Sequence, residues 1–196
     1  MSSKYNKHMS LAGMNLGHSS REDLQSAVNG VLDNKIHGIS FSPYTEGQGP
    51  GTKISEAQIS ARMAIISPSI NWIRSFSCTD GNENIPKIAK QQGLKTLVGA
   101  WLDDDLENNE KEINNLIAVA QQGYADIVAV GTPGGVHVDP IMTALEQNCH
   151  IYSDKPLAAT AKEAKMLYLK AHEKGTKTAY AASMRYLPYA LLAKSL

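Results

Sequence analysis

Three stretches of the sequence combine residue types and spacings that do chemistry. The first is "TPGGVH" at 132–137, a Gly-bearing turn directly behind the apolar run "DIVAVG". A Gly pair at the end of a parallel strand lets backbone approach a bound cofactor with no Cβ in the way. Thr132, Pro133 and Gly134 form that turn, and His137 stands near the start of the next helix, as a ligand contact or as a surface residue beside the cap. The second is "SDKP" at 153–156, where Asp154 and Lys155 precede Pro156, which stiffens the turn. The third is "EGQGPG" at 46–51. A dinucleotide fingerprint needs Gly-x-Gly-x-x-Gly in a tight turn against a helix N-terminus. Gly47, Gly49 and Gly51 miss the third-Gly spacing, Pro50 interrupts them, and the strand lies several residues upstream, so a flexible loop is expected.

Acidic and aromatic residues form a second set. Glu46, Asp80, Glu83 and "DDD" at 103–105 follow strand-like segments, where solvated loop charges or carboxylates favoured by a helix N-terminus are expected. Tyr44 and Trp101 carry flat faces that stack on a sugar, and they equally suit core packing or a half-exposed rim. Arg185 and Tyr186, in "MRYLP" at 184–188, suit an anchor for the last strand-to-helix turn. Cys78 and Cys149 match no metal or redox spacing, and no metal site is expected.

The elements that must position these residues alternate along the chain. "KIHGISFS" (35–42), "NWIRSFSC" (71–78), "KTLVGAW" (95–101), "DIVAVG" (126–131), "HIYSD" (150–154) and "KTAYAAS" (177–183) are short and apolar or β-branched. Near-continuous hydrophobicity in the fourth predicts burial on both faces, as in a parallel sheet. Between them, "SSRE" (19–22), "SEAQ" (55–58) and "TAKE" (160–163) read as capping boxes. "NEKEINNLIAVAQQG" (109–123) puts Ile113, Leu116, Ile117 and Ala120 on one helix face and stops at Gly123, and "AKEAKMLYLKAHEKG" (161–175) stops at Gly175. Six repeated βα units make an α/β protein with a mainly parallel, open sheet. An eight-stranded barrel needs two more units, so six strands stay open or are completed by another copy.

A chain of 196 residues with 42% hydrophobic and 19% charged residues reads as a single α/β domain, residues 1–196, with an N-terminal arm and helix over 1–27. Basic and acidic residues balance at 19 each, which removes the overall field that recruits nucleic acid or an anionic membrane. "MSSKYNKHMSLAGMN" lacks an apolar signal core, and a cytoplasmic location is expected.

Residues 28–131 resemble the first half of the β-1,3-glucanase barrels of glycoside hydrolase family seventeen. The resemblance rests on "VNGVLDNKIHGISFSPY", "WIRSFSC" and "GLKTLVGAWLDDDLENNEKEINNLIAVAQQGYADIVAVG". It implies a retaining β-glucan hydrolase, with Tyr44, Glu46 and Trp101 as substrate contacts. Retaining hydrolysis needs two carboxyl groups about 5 Å apart. In those barrels the acid/base is a Glu just after the fourth strand. Here Thr132 and Pro133 stand there, and the later strand that carries the nucleophile is missing.

From Asp126 onward the chain resembles the later half of the nucleotide-binding domain in the Gfo/Idh/MocA oxidoreductases, and residues 132–196 form the Rossmann-like half. The matching residues are "TPGGVH", "SDKPLAATAKEAKMLYLKAHEKG" and "MRYLP", with Asp154 where the family more often has Glu. The resemblance implies NAD or NADP as cofactor. It implies cofactor contacts at Thr132, Pro133, Gly134, His137, Asp154, Lys155, Pro156 and Arg185. Lys155 is the catalytic candidate, in the position that reaches the nicotinamide ribose and the substrate.

The expectation is therefore a half barrel continuing into a half Rossmann-like fold, a chimera-like scaffold without turnover because each parent site is incomplete. The alternatives are an NAD(P)-binding oxidoreductase fragment and a β-glucan-binding or hydrolase fragment. The expected partner is a nucleotide or sugar. Strand 36–42 leaves a sheet edge, so either the helix near 20–31 covers it or the chain dimerises edge to edge.

Overall fold

The computed structural model describes residues 16–131 and 134–181. The elements alternate along the chain as α1 (Arg21–Asp33), β1 (Ile36–Ser40), α2 (Glu56–Ile66), β2 (Ile70–Arg74), α3 (Ile85–Gln91), β3 (Lys95–Gly99), α4 (Leu106–Gln121), β4 (Ile127–Val130), α5 (Val138–Glu146), β5 (His150–Ser153), α6 (Ala161–Lys174) and β6 (Thr178–Tyr180). Each expected strand is present; β2 begins one residue earlier than expected, at Ile70, and the others lie within their expected ranges. The class is α/β with parallel strands, and the chain divides into two compact units. The first holds the residues up to Ser75 with Thr79–Leu97, the second Phe76–Cys78 with the residues from Val98 onward. Among the described residues no helix is long and apolar enough to cross a membrane.

In the first unit, β1 pairs in parallel with β2 (Ile36↔Ile70, Ser40↔Arg74), and β2 with β3 (Trp72↔Lys95, Arg74↔Leu97). The core brings Ile59 and Met63 of α2 and Ile85, Ile88 and Ala89 of α3 against Ile70 and Ile73 of β2. Burying each such aliphatic side chain contributes about 1.5–3 kcal/mol, which outweighs weak intrinsic propensity in strands this short. Gly38 is required by close approach, because a Cβ there would lie 2.7 Å from the Cβ and carbonyl oxygen of Trp72. β1 remains half exposed. Helix α1 buries no residue, and Leu24, Val28 and Leu32, spaced one turn apart, stay exposed. Its capping box is Ser20 with Asp23, one residue later than the "SSRE" spacing predicts: the Ser20 hydroxyl accepts from Asp23 N–H while the Asp23 carboxylate accepts from Ser20 N–H.

In the second unit, β4, β5 and β6 are parallel and end level, Val130 opposite Ser153 and Ser153 opposite Tyr180. Val128, Val130 and Ile151 pack against Val119 and Ala120 of α4, Ile141, Ala144 and Leu145 of α5, and Leu167 and Ala171 of α6. Burial along β4 alternates rather than covering both faces. All three helices contribute to the cluster that holds Val128 and Val130, whereas Tyr152, paired beside Ala129 on the opposite face, is exposed. Helix α4 starts at Leu106, with Asp105 as its N-cap, and its buried face is turned from the expected one: Glu112, Val119 and Ala120 point inward and Ile113 is exposed.

Candidate functional site

The level ends of β4 and β5 bring two turns side by side. Asp154 N–H donates to the Val130 carbonyl at 2.8 Å, continuing the ladder one residue past both strands. Ala181 N–H donates to the Ser153 carbonyl at 2.8 Å, so the end of β6 is tied to the same level. In parallel α/β sheets, the space outside the carboxyl ends of the strands is where ligands are bound.

His137 holds the two turns together. It is the N-cap residue of α5 and fully buried, and its Nδ1 lies 2.8 Å from the Pro156 carbonyl oxygen and 3.3 Å from Ser153 Oγ. A carbonyl oxygen only accepts, so Nδ1 carries the proton and donates to Pro156, while the buried Ser153 hydroxyl donates to the Asp154 carbonyl at 3.1 Å. Asp154 Oδ1 accepts from Lys155 N–H at 2.8 Å, and the Lys155–Pro156 peptide is cis. The backbone of 153–156 is thus fixed from below. The side chains of Asp154, Lys155 and Pro156 all face solvent.

The other expected site residues separate into groups. Thr132, Pro133 and Arg185 lie outside the described residues. Gly134 opens a short 3-10 turn, Gly134–Val136, that leads into His137. An added Cβ at Gly131 or Gly135 meets nothing within 4 Å, so one side of this turn is open. Tyr44 and Glu46 belong to the first unit: Tyr44 is half-buried against its core and accepts from Asn82 Nδ2 at 3.4 Å, and Glu46 is exposed. Trp101 belongs to the second unit and is 59% exposed. Asp80 adopts φ +55° and its carbonyl accepts from Ile54 N–H, and Glu83 accepts from Gly81 N–H. Both are turn residues.

The "EGQGPG" loop is stitched by its own neighbours. Gln48 Oε1 accepts from Thr45 N–H at 2.9 Å and from Gln58 Nε2 at 2.6 Å, and Gln58 Nε2 also reaches the Pro43 carbonyl at 2.9 Å. Gly47 and Gly51 take φ of +79° and +85°, which this path requires. Residues 41–55 separate β1 from α2, and Ser55 already caps the helix by accepting from Gln58 N–H. This is not the tight strand-to-helix turn that cradles a pyrophosphate. Among the described residues no group of His, Cys, Asp and Glu is arranged to hold a metal ion.

Sequence reasoning passed over Glu112. This carboxylate is 1% exposed and accepts from Ser77 Oγ at 2.5 Å, Cys78 N–H at 2.6 Å and Trp101 N–H at 3.1 Å. One turn along α4, Asn115 Nδ2 donates to the Cys78 carbonyl at 2.7 Å. Together they fix the segment after β2 and the segment after β3. The signal was an acid four residues before Leu116 on a face that otherwise carries Val119 and Ala120.

Residues 78–181 match the Gfo/Idh/MocA family model, described as an oxidoreductase family with an NAD-binding Rossmann fold. The match begins inside the glucanase-like stretch, so the oxidoreductase likeness reaches back from Asp126 to Cys78. The chain is 33% identical over 63 residues to scyllo-inositol 2-dehydrogenase (NADP(+)) IolW of Bacillus subtilis (strain 168), covering 32% of this chain and 18% of that protein. Among solved structures it is similar to an NAD binding oxidoreductase from Klebsiella pneumoniae (20% identity, 82% of this chain and 38% of that one, TM-score 0.41). It is also similar to scyllo-inositol dehydrogenase from Lactobacillus casei with bound NAD(H) and scyllo-inositol (18% identity, 81% and 39% coverage, TM-score 0.39). The chain therefore spans about a fifth of the curated relative's length and about two fifths of these structures. With more than half of its residues matched, it belongs to the Gfo/Idh/MocA oxidoreductase family.

Proposed function

We propose that the chain binds NAD or NADP through the turns after β4 and β5, with Lys155 directed at the nicotinamide ribose and the substrate. The observation that carries this reading is the His137 clasp, which fixes both turns at one level and leaves Lys155 exposed beside them. The fit is good at the nicotinamide end: open backbone at Gly131 and Gly135, and an ammonium with no ion pair among the described residues. When bound, the dinucleotide supplies hydride chemistry. This chain's part is to hold a ribose or substrate hydroxyl at Lys155 Nζ, with Asp154 and Pro156 shaping the turn. Thr132, Pro133, Gly134 and Arg185 would complete the contact. His137 acts through Pro156 as a positioning residue. Weak affinity is expected, because the loop after β1 does not form a pyrophosphate cradle. Titration with NADH, followed by its fluorescence, tests this reading: saturable binding should weaken about tenfold or more in Lys155→Ala, the size of one lost charge-assisted hydrogen bond. Equal binding by the variant would overturn it.

A second reading is of mixed origin. In it, residues 28–131 keep the glucanase-like character that their sequence suggests, joined to the Rossmann-like half. On this reading the chain is a hybrid scaffold without turnover. Release of reducing sugar from laminarin that disappears in Glu46→Ala would replace it with a hydrolase. The exposed strand β1 favours an edge-to-edge homodimer, which light scattering at several concentrations detects. Both cysteines are buried thiols, which suits a reducing compartment and supports a cytoplasmic location.

A further inference from the structure

Two features of the chain match one another. Helix α1 is capped at Ser20 but buries no residue. Its Leu24, Val28 and Leu32 recur at every fourth position and form one exposed apolar stripe. A helix of 13 residues is marginal in water unless such a stripe packs against something. The second feature is a cavity of about 350 Å³ along α5 and α6, lined by Met142, Met166 and Leu169 and by Lys162, Lys165 and Lys170. Leu167 and Ala171 turn another side of α6 into the core, and Met166 and Leu169 stay 42% and 55% exposed. Lys170 pairs with Glu173 at 3.3 Å, and Lys162 and Lys165 have no ion pair among the described residues.

We propose that this groove takes α1 of a second copy of the chain. Seating the apolar stripe of a helix in an apolar groove is a recurring mode of recognition, and flexible methionines adapt to Leu and Val anchors. Lengths agree: at 1.5 Å per residue, residues 21–33 span about 18 Å and residues 162–173 about 16 Å. Charges agree as well. Helix α1 carries Glu22, Asp23 and Asp33 against one base, Arg21, whereas the groove carries three lysines against one acid, Glu173. Glu22 and Asp33 lie on one flank of α1, beside the stripe, in position to face lysines when the stripe is seated. An uncharged groove would take any apolar helix; three lysines select an acidic one. The contact uses neither β1 nor the turns after β4 and β5, so it is independent of edge-to-edge pairing and of the nucleotide reading.

The test is sedimentation velocity of the full chain over a range of concentrations, in low and high salt. The chain should self-associate, and added salt should weaken the association several-fold. Val28→Asp, which places a carboxylate in the middle of the stripe, should weaken it about tenfold or more, as should Lys162→Glu with Lys165→Glu. Adding Glu22→Lys and Asp33→Lys to that double lysine variant should restore association to within about threefold of the wild type, a recovery that damage to folding would not show. Mixed under oxidising conditions, Val28→Cys and Leu169→Cys chains should join by a disulfide faster than either variant joins to itself. All the substituted side chains lie on exposed helix faces, and an unchanged far-UV spectrum checks that each variant is folded. A strict monomer at every concentration, association that none of these variants weakens, or a charge swap that fails to restore it would overturn the inference.

Discussion

The two units hold their loops by different means. In the second, buried polar side chains do it: Glu112 gathers Ser77, Cys78 and Trp101, and His137 clasps Pro156 and Ser153. In the first, the loops rely on backbone shape and exposed or half-buried amides: Gly81 at φ +91°, Gly47 and Gly51 at positive φ, and the Gln48–Gln58 pair. A buried imidazole or carboxylate sets one geometry, because leaving its partners unpaired is costly. A glycine loop permits a shape without enforcing it. The comparison teaches that glycine content alone does not mark a ligand cradle. The Gly-richer "EGQGPG" loop closes on itself, whereas the turn around Gly134 and Gly135 sits level with a neighbouring strand end and is locked there.

The largest break in this contrast is expected from Glu112→Ala. It leaves two backbone N–H groups and one hydroxyl without their acceptor, and should destabilise the second unit by about 4 kcal/mol in urea unfolding. His137→Ala follows at about 3 kcal/mol, from a cavity plus an unpaired Pro156 carbonyl, with NADH binding lost at temperatures where the chain is still folded. In the first unit, Gly81→Ala should cost about 2–3 kcal/mol, because the new Cβ would meet the Ile54 carbonyl oxygen at positive φ. Gly51→Ala, equally left-handed but with open space around it, should cost only about 1 kcal/mol. A smaller Gly81 than Gly51 effect would show that backbone approach does not hold this loop. Lys155→Ala should change stability by less than about 0.5 kcal/mol, so its effect on binding reads as contact alone.

The smallest expected effect is a pH effect at α1. Hydrogen bonds from the Ser20 hydroxyl and then the Ser20 N–H hold the Asp23 carboxyl below its ordinary value. A depressed acid stabilises the folded form above its unfolded pKa and loses that contribution as pH falls through the lower folded value. Acid should therefore fray α1 at its first turn, seen as faster amide exchange near Ser20 and Asp23. Ser20→Ala should remove this pH dependence.

The six strands were legible because short apolar or β-branched runs alternated with capped helices, and Gly123 and Gly175 end their helices at φ +75° and +65° as expected. Less legible were features that depend on which polar side chain turns inward. The helix over 109–123 has apolar residues on more than one face, so its spacing admitted a face through Ile113 as well as the observed one through Glu112. His137 stood at a helix start whichever way its ring pointed; only the parallel register of Val130 with Ser153 brings the Pro156 carbonyl to its Nδ1. Register is a long-range property, and a single strand's residues do not encode its partner's offset. For the same reason Tyr44, Glu46 and Trp101 looked alike as sugar contacts, whereas the fold leaves Tyr44 half-buried and Trp101 in solvent.

The most direct test of the nucleotide reading is a titration of isotopically labelled protein with NADH, followed by amide chemical shifts. The two clasped turns should respond together, with the largest shifts at Gly131, Gly135, Asp154 and Lys155 and little change at Gly47–Thr52. Shifts centred on Gly47–Thr52, or none at saturating NADH, would contradict it.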